Sequence, residues 1–106
     1  MLPENITAVI ARNERWSGNA ASEPYEAGWA REAVFFLRAI KQPVGSPPIA
    51  WVEISPDGMH WVREGTEFRI PSERDGIAVA RLSGFGGWLR VATRFEAGAE
   101  CTVLVT

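Results

Sequence analysis

Apolar and polar positions alternate over short stretches of this chain, and Gly or Pro interrupts them at fairly even intervals, the rhythm of strands and turns rather than of a helical bundle. Ile6, Ala8 and Ile10 alternate with Thr7, Val9 and Ala11, which predicts a first strand over residues 6–13. The stretch WSGNAASEPYEAGW has no periodicity and reads as a polar loop carrying Trp16, Tyr25 and Trp29. Residues 29–41, WAREAVFFLRAIK, can be read in two ways. Trp29, Ala33, Phe36, Leu37 and Ile40 fall on one helical stripe, and a helix here would make an α+β domain. However, no N-cap residue precedes Trp29, the flanking segments are strand-like, and Val34-Phe35-Phe36-Leu37 is a continuous apolar run suited to a strand covered on both sides. The expectation is a strand.

The sequence ISPDGMHW contains the most definite turn. Pro56 sets φ for the first central position, Asp57 suits the second, and Gly58 accepts a left-handed conformation, so a type I turn with a G1 bulge should join strands at residues 49–55 and 59–64. Thr66, Phe68 and Ile70 then alternate with Glu67 and Arg69, and residues 71–76 form a turn. Residues 76–83 and 87–95 are expected to pair across GFGG, and residues 99–106 supply the closing strand. The sum is one all-β domain over residues 1–106, an antiparallel β-sandwich of jelly-roll-like type with seven to eight strands.

The faces of these strands carry the functional signal. With Ser55 opposite Met59, Glu53 meets Trp61 and Trp51 meets Arg63 on one face, while Ile54 meets His60 and Val52 meets Val62 on the other. Residues 87–95 repeat the mixture, with Leu89, Val91, Thr93 and Phe95 inward and Trp88, Arg90, Ala92 and Arg94 outward. A sheet with one face in water should alternate cleanly, so two-sided apolar patterning implies that something covers the outer face, and Trp beside Arg is the composition of an interface hot spot. The plainer alternative is that Trp51 or Trp61 plugs an end of the core with its N–H on a loop carbonyl, or that a register slip of one residue swaps the faces.

Composition narrows the classes. At 106 residues, roughly 60–70% of the unfolded surface can be buried in one core, which leaves little room to enclose all five Trp. The net charge is −2, from 11 basic and 13 acidic residues mixed along the chain, so there is no positive field for nucleic acid or an anionic membrane, and neither is an expected partner. No apolar run approaches the ~20 residues of a membrane span. The opening MLPENITAVIARNERW lacks a basic leader followed by an apolar stretch, so synthesis in the cytoplasm without a signal peptide is expected, and the Asn5-Ile6-Thr7 sequon reads as chance.

Chemistry has few candidates. Cys101 is the single cysteine and His60 the single histidine, which excludes an internal disulfide and a cysteine-based zinc site; no metal or cofactor is expected. No nucleophile motif accompanies His60, and Cys101 alternates with Val103 and Val105 as a buried thiol does. Glu53 with Glu64, or Asp57 with Asp75, are carboxylate pairs of the kind glycosidases use, but acidic residues are too common for the pairing to be specific. GFGG has neither a following helix nor a lysine and reads as a turn, not a phosphate cradle. An enzyme is not expected.

WVEISPDGMHWVREGTEF, then GGWLRVATRF and the final CTVLVT, resembles a loose group of small β-sandwich proteins among bacteriophage and prophage structural genes, with an S-x-D-G-x-x-W hairpin ahead of a G-x-x-x-R-V strand. The matching positions are Ser55, Asp57, Gly58 and Trp61, then Arg90 and Val91. The resemblance runs from Phe35 onward, and the N-terminal third matches less well. Discoidin-like and fibronectin-type sandwiches that bind sugars or proteins carry similar hairpins. The resemblance implies a virion or particle accessory role and assigns no catalytic residues.

The expectation is a non-enzymatic structural module that self-assembles as a homo-oligomer or docks on a larger protein assembly, such as a phage or other protein particle. Trp51, Trp61, Trp88, Arg90, Tyr25 and Trp29 are the candidate interface residues. The alternative is a carbohydrate-binding module that stacks a polysaccharide on exposed aromatics, with the loop residues Trp16, Asn19, Tyr25 and Trp29 as its site.

Overall fold

The computed structural model describes residues 7–27, 32–83, 85 and 87–106. Nine strands form in chain order: β1 (Ala11–Ser17), β2 (Asn19–Ala21), β3 (Tyr25–Glu26), β4 (Glu32–Ala39), β5 (Ile49–Ser55), β6 (Val62–Arg69), β7 (Ile77–Ser83), β8 (Trp88–Arg94) and β9 (Glu100–Val105). They make two antiparallel sheets. The first runs β1-β9-β4-β7; the second runs β2-β8-β5-β6, with the two-residue β3 also on β8. If β2 and β3 share one position, each sheet has four positions, and chain neighbours alternate between sheets everywhere except at the β5–β6 hairpin. This is the strand order of a jelly roll.

Alternation builds the core between the sheets. β4 turns Phe35, Leu37 and Ala39 inward, β9 turns Cys101, Val103 and Val105, and the facing sheet contributes Ala50, Val52, Leu89 and Val91. Leu37, Val52, Val91, Val103 and Val105 are fully buried, which ties the two sheets into one apolar layer. Residues 32–39 are a strand, not a helix, paired with both β7 and β9; Trp29 and its neighbours up to residue 31 lie outside the described residues.

Three expectations change in detail. Of the expected first strand, Ile6 lies outside the described residues and residues 7–10 are not strand; β1 begins at Ala11 and continues through Trp16, because a bulge between Ala11 and Glu14, with Asn13 at φ 50°, resets the alternation. Trp16 therefore faces inward opposite Cys101 and is only 4% exposed, and the expected polar loop contains β2 and β3. Second, β7 and β8 do not pair; they lie in different sheets, β7 on β4 and β8 on β5. Inward alternation in each suits either partner, and the crossing is dictated by closure of the sandwich.

Third, the hairpin register differs by two residues, with Glu53 opposite Arg63 and Ile54 opposite Val62. An even shift preserves the faces, so Trp51, Glu53 and Arg63 still share a side. The cause is local: Asp57 Oδ1 accepts the amide N–H groups of Met59 (2.8 Å) and His60 (2.9 Å), which removes them as ladder donors and delays β6 until Val62. Farther along, Gly65 at φ 121° sits in a second bulge that shifts the pairing to Trp51 opposite Glu67.

Candidate functional site: two outer sheet faces

On the outer face of the second sheet, the expected residues come together around one carboxylate. Glu53 lies between Arg90 on β8 and Arg63 on β6. Its Oε1 accepts the Arg90 Nε–H at 2.7 Å, and its Oε2 accepts the Trp51 indole N–H at 3.0 Å. The Arg90 guanidinium lies 4.2 Å over the Trp61 ring, and that of Arg63 lies 3.8 Å over Trp51. Arg63, Trp51, Glu53, Arg90 and Trp61 thus form a continuous row of stacked rings, guanidinium groups and one carboxylate. Glu53 and Arg90 are mostly withdrawn from water, at 15% and 26% side-chain exposure, so each depends on the other for charge compensation.

Trp88 has a different place. A side-chain carbon at Gly58 would come within 3.3 Å of its ring, so the PDG turn rests directly on this indole. At φ +80°, Gly58 also occupies a conformation that other residues adopt at a cost. Within the turn, buried Ser55 accepts the amide N–H groups of Asp57 and Gly58 and donates to Asp57 Oδ1. The His60 amide, the His60 ring 2.6 Å from Oδ2 and the Met59 amide hold the Asp57 carboxyl well below its ordinary range. The S-x-D-G portion of the motif is therefore turn chemistry, and Trp61 belongs to the stacked row.

The outer face of the first sheet is aliphatic and open. On β4, Glu32, Val34, Phe36 and Arg38 point outward. Their cross-strand partners on β7 are Ser83, Arg81, Val79 and Ile77, and Leu104 of β9 flanks Arg38 on its other side. Val34 is 42% exposed, Phe36 46%, Ile77 60% and Val79 39%, and the register makes them one contiguous patch. At its edge Arg38 bonds Asp75 at 2.8 Å and holds that carboxyl below its ordinary value. None of these four was named as an interface residue from sequence, although the two-sided run 34–37 was the available signal.

The remaining candidates are spread elsewhere. Tyr25 pairs with Leu89 and packs, half-buried, against the core, away from the stacked row. Trp16 is a core residue, so the expected aromatic binding loop is not assembled among the described residues. Cys101 is 1% exposed, and burial pushes its thiol up to about 11, leaving it protonated and unreactive at neutral pH. Glu64 accepts the Thr66 amide at 2.9 Å inside the bulge, so all four carboxylates considered for acid–base work have structural partners. Among the described residues no group of three or more His, Cys, Asp or Glu could hold a metal ion, and no helix is long and apolar enough to cross a membrane. No protein-family model matches this chain, and no significant match was found among curated proteins or solved structures.

Proposed function

We propose that this protein is a non-catalytic structural module that associates through a sheet face, either with copies of itself or with a larger protein particle, in the accessory role that the resemblance to phage structural proteins implies. The observation that carries the reading is the open patch of Val34, Phe36, Ile77 and Val79 on an otherwise well-formed sandwich. Apolar area of this kind gains roughly 25 cal/mol per Å² when removed from water, and a contiguous patch concentrates that gain in one place. The protonated, buried thiol of Cys101 and the structural engagement of Asp57, Glu53, Glu64 and Asp75 support a non-catalytic role.

Light scattering or native mass spectrometry across a micromolar concentration series tests this directly. A mass that rises with concentration supports the reading; a monomer throughout, with no binding to particle proteins, overturns it.

Polysaccharide binding is the second reading, favoured by the half-buried indoles of Trp51 and Trp61 beside Arg63, Arg90 and Glu53, which supply hydrogen-bonding groups. Arg63 and Arg90 already cover one face of each ring, the surface that a sugar would stack on, so this reading is the weaker one. Tryptophan fluorescence titrated with polysaccharides separates the two: a saturable change lost in Trp61→Ala favours sugar, and a flat response favours protein.

A further inference from the structure

We infer that the occupant of the first sheet's outer face is a second copy of this chain, stacked face to face with β4 crossing its counterpart in antiparallel sense about a twofold axis. The inference rests on the association reading above and specifies its geometry. The outward residues of β4 are, in order, Glu32, Val34, Phe36 and Arg38: acidic, apolar, apolar, basic. Such a series is complementary to its own reverse. A twofold axis in the interface plane, perpendicular to β4 at the level of Phe35, places Glu32 over Arg38 of the second copy, Val34 over Phe36, and the reciprocal pairs by symmetry.

An axis along β4 would instead stack Glu32 on Glu32 and Arg38 on Arg38, and like charges across an interface repel. The charge order therefore selects one of the two simplest twofold arrangements. The antiparallel arrangement also keeps the strands of the two sheets close to aligned, as face-to-face sheets prefer. β4 is an interior strand flanked by β9 and β7, so Leu104, Val79 and Ile77 widen the apolar strip on either side. Arg81, opposite Val34, brings a second cation whose aliphatic stem can lie along the apolar strip.

The size of the face sets the strength. Four strands spaced ~4.8 Å apart and about seven residues long at ~3.3 Å per residue give a plan area of ~450 Å² per copy, at the small end of specific interfaces. The dimer should accordingly be weak and concentration-dependent.

Sedimentation velocity on the full chain, over a concentration series, provides the test. The wild type should pass from monomer to dimer. Phe36→Lys should remain monomeric at every concentration. In an Asp75→Asn background, which frees position 38 from its own salt bridge, Glu32→Lys and Arg38→Glu should each weaken the dimer ~10-fold, because each breaks two symmetry-related pairs, and the double variant Glu32→Lys/Arg38→Glu should recover most of that loss. These positions are exposed, and thermal melting confirms that each variant folds; Val79→Lys replaces any that does not. An oligomer indifferent to Phe36→Lys and Val79→Lys overturns this interface while leaving self-association intact. Disruption by Phe36→Lys without recovery in the double variant overturns the antiparallel arrangement. A wild type monomeric at all concentrations overturns the dimer altogether, and binding to a particle protein then decides whether the broader reading survives.

Discussion

The two outer sheet faces carry large side chains in similar density but treat them differently. On the second sheet, each half-buried Trp has a partner: Trp51 has Glu53 and Arg63, Trp61 has Arg90, and Trp88 has the turn at Gly58. On the first sheet, Phe36, Val34, Ile77 and Val79 stay exposed, and among the described residues no stacked cation covers Phe36. Residue size and aromaticity therefore do not identify a docking surface. What matters is whether the polar atoms and ring faces are already satisfied within the subunit, and by that measure the aliphatic face is the unfinished one.

Mutations can separate the layers of this contrast. The largest effect should come from beneath the open face: Leu37 is fully buried directly behind it, and Leu37→Ala should cost ~2–5 kcal/mol in denaturant unfolding. Next, Glu53→Ala strands the Trp51 N–H and the Arg90 guanidinium and should cost ~1–3 kcal/mol by the same measurement. A loss near zero would mean that the second face is not a tied network. Arg63→Ala removes a more exposed stacking contact and should cost ~0.5–1 kcal/mol, together with a change in tryptophan emission. Phe36→Lys should alter monomer stability, measured at low concentration, by less than ~0.5 kcal/mol; a larger loss would place Phe36 in the fold rather than at an interface.

The smallest effect concerns acid. Because the folded Asp57 carboxyl titrates below its ordinary 3.8, its contribution is fully present above that pH and fades as pH falls further. Asp57→Asn, which retains an oxygen for the Met59 and His60 amides, should flatten that acid-side decline in melting temperature; an unchanged slope would assign the decline to Asp75, the other depressed carboxyl.

Much of the fold was legible in the chain. The alternation read in residues 87–95 and in the closing strand places Leu89, Val91, Thr93 and Phe95, and Cys101, Val103 and Val105, in the core, because a period of two allows only one inward face per strand. The outward set Trp88, Arg90, Ala92 and Arg94 and the shared face of Trp51, Glu53 and Arg63 follow from the same rule. Bulges were not legible. Asn13 and Gly65 each insert residues that periodicity cannot anticipate, and the first of them moved Trp16 from an apparent loop into the core.

By itself, the sequence determined the all-β class, the hairpin at Pro56-Asp57-Gly58 and the presence of apolar groups on both sides of its strands, since these depend on local turn chemistry and side-chain alternation. Only the tertiary structure decided which strands are neighbours, because matching alternation suits many partners and closure of the sandwich chooses among them. It also decided which greasy face remains open. Whether an indole is satisfied depends on a carboxylate or guanidinium brought beside it from a distant part of the chain, as Arg90 is brought to Glu53 and Trp61.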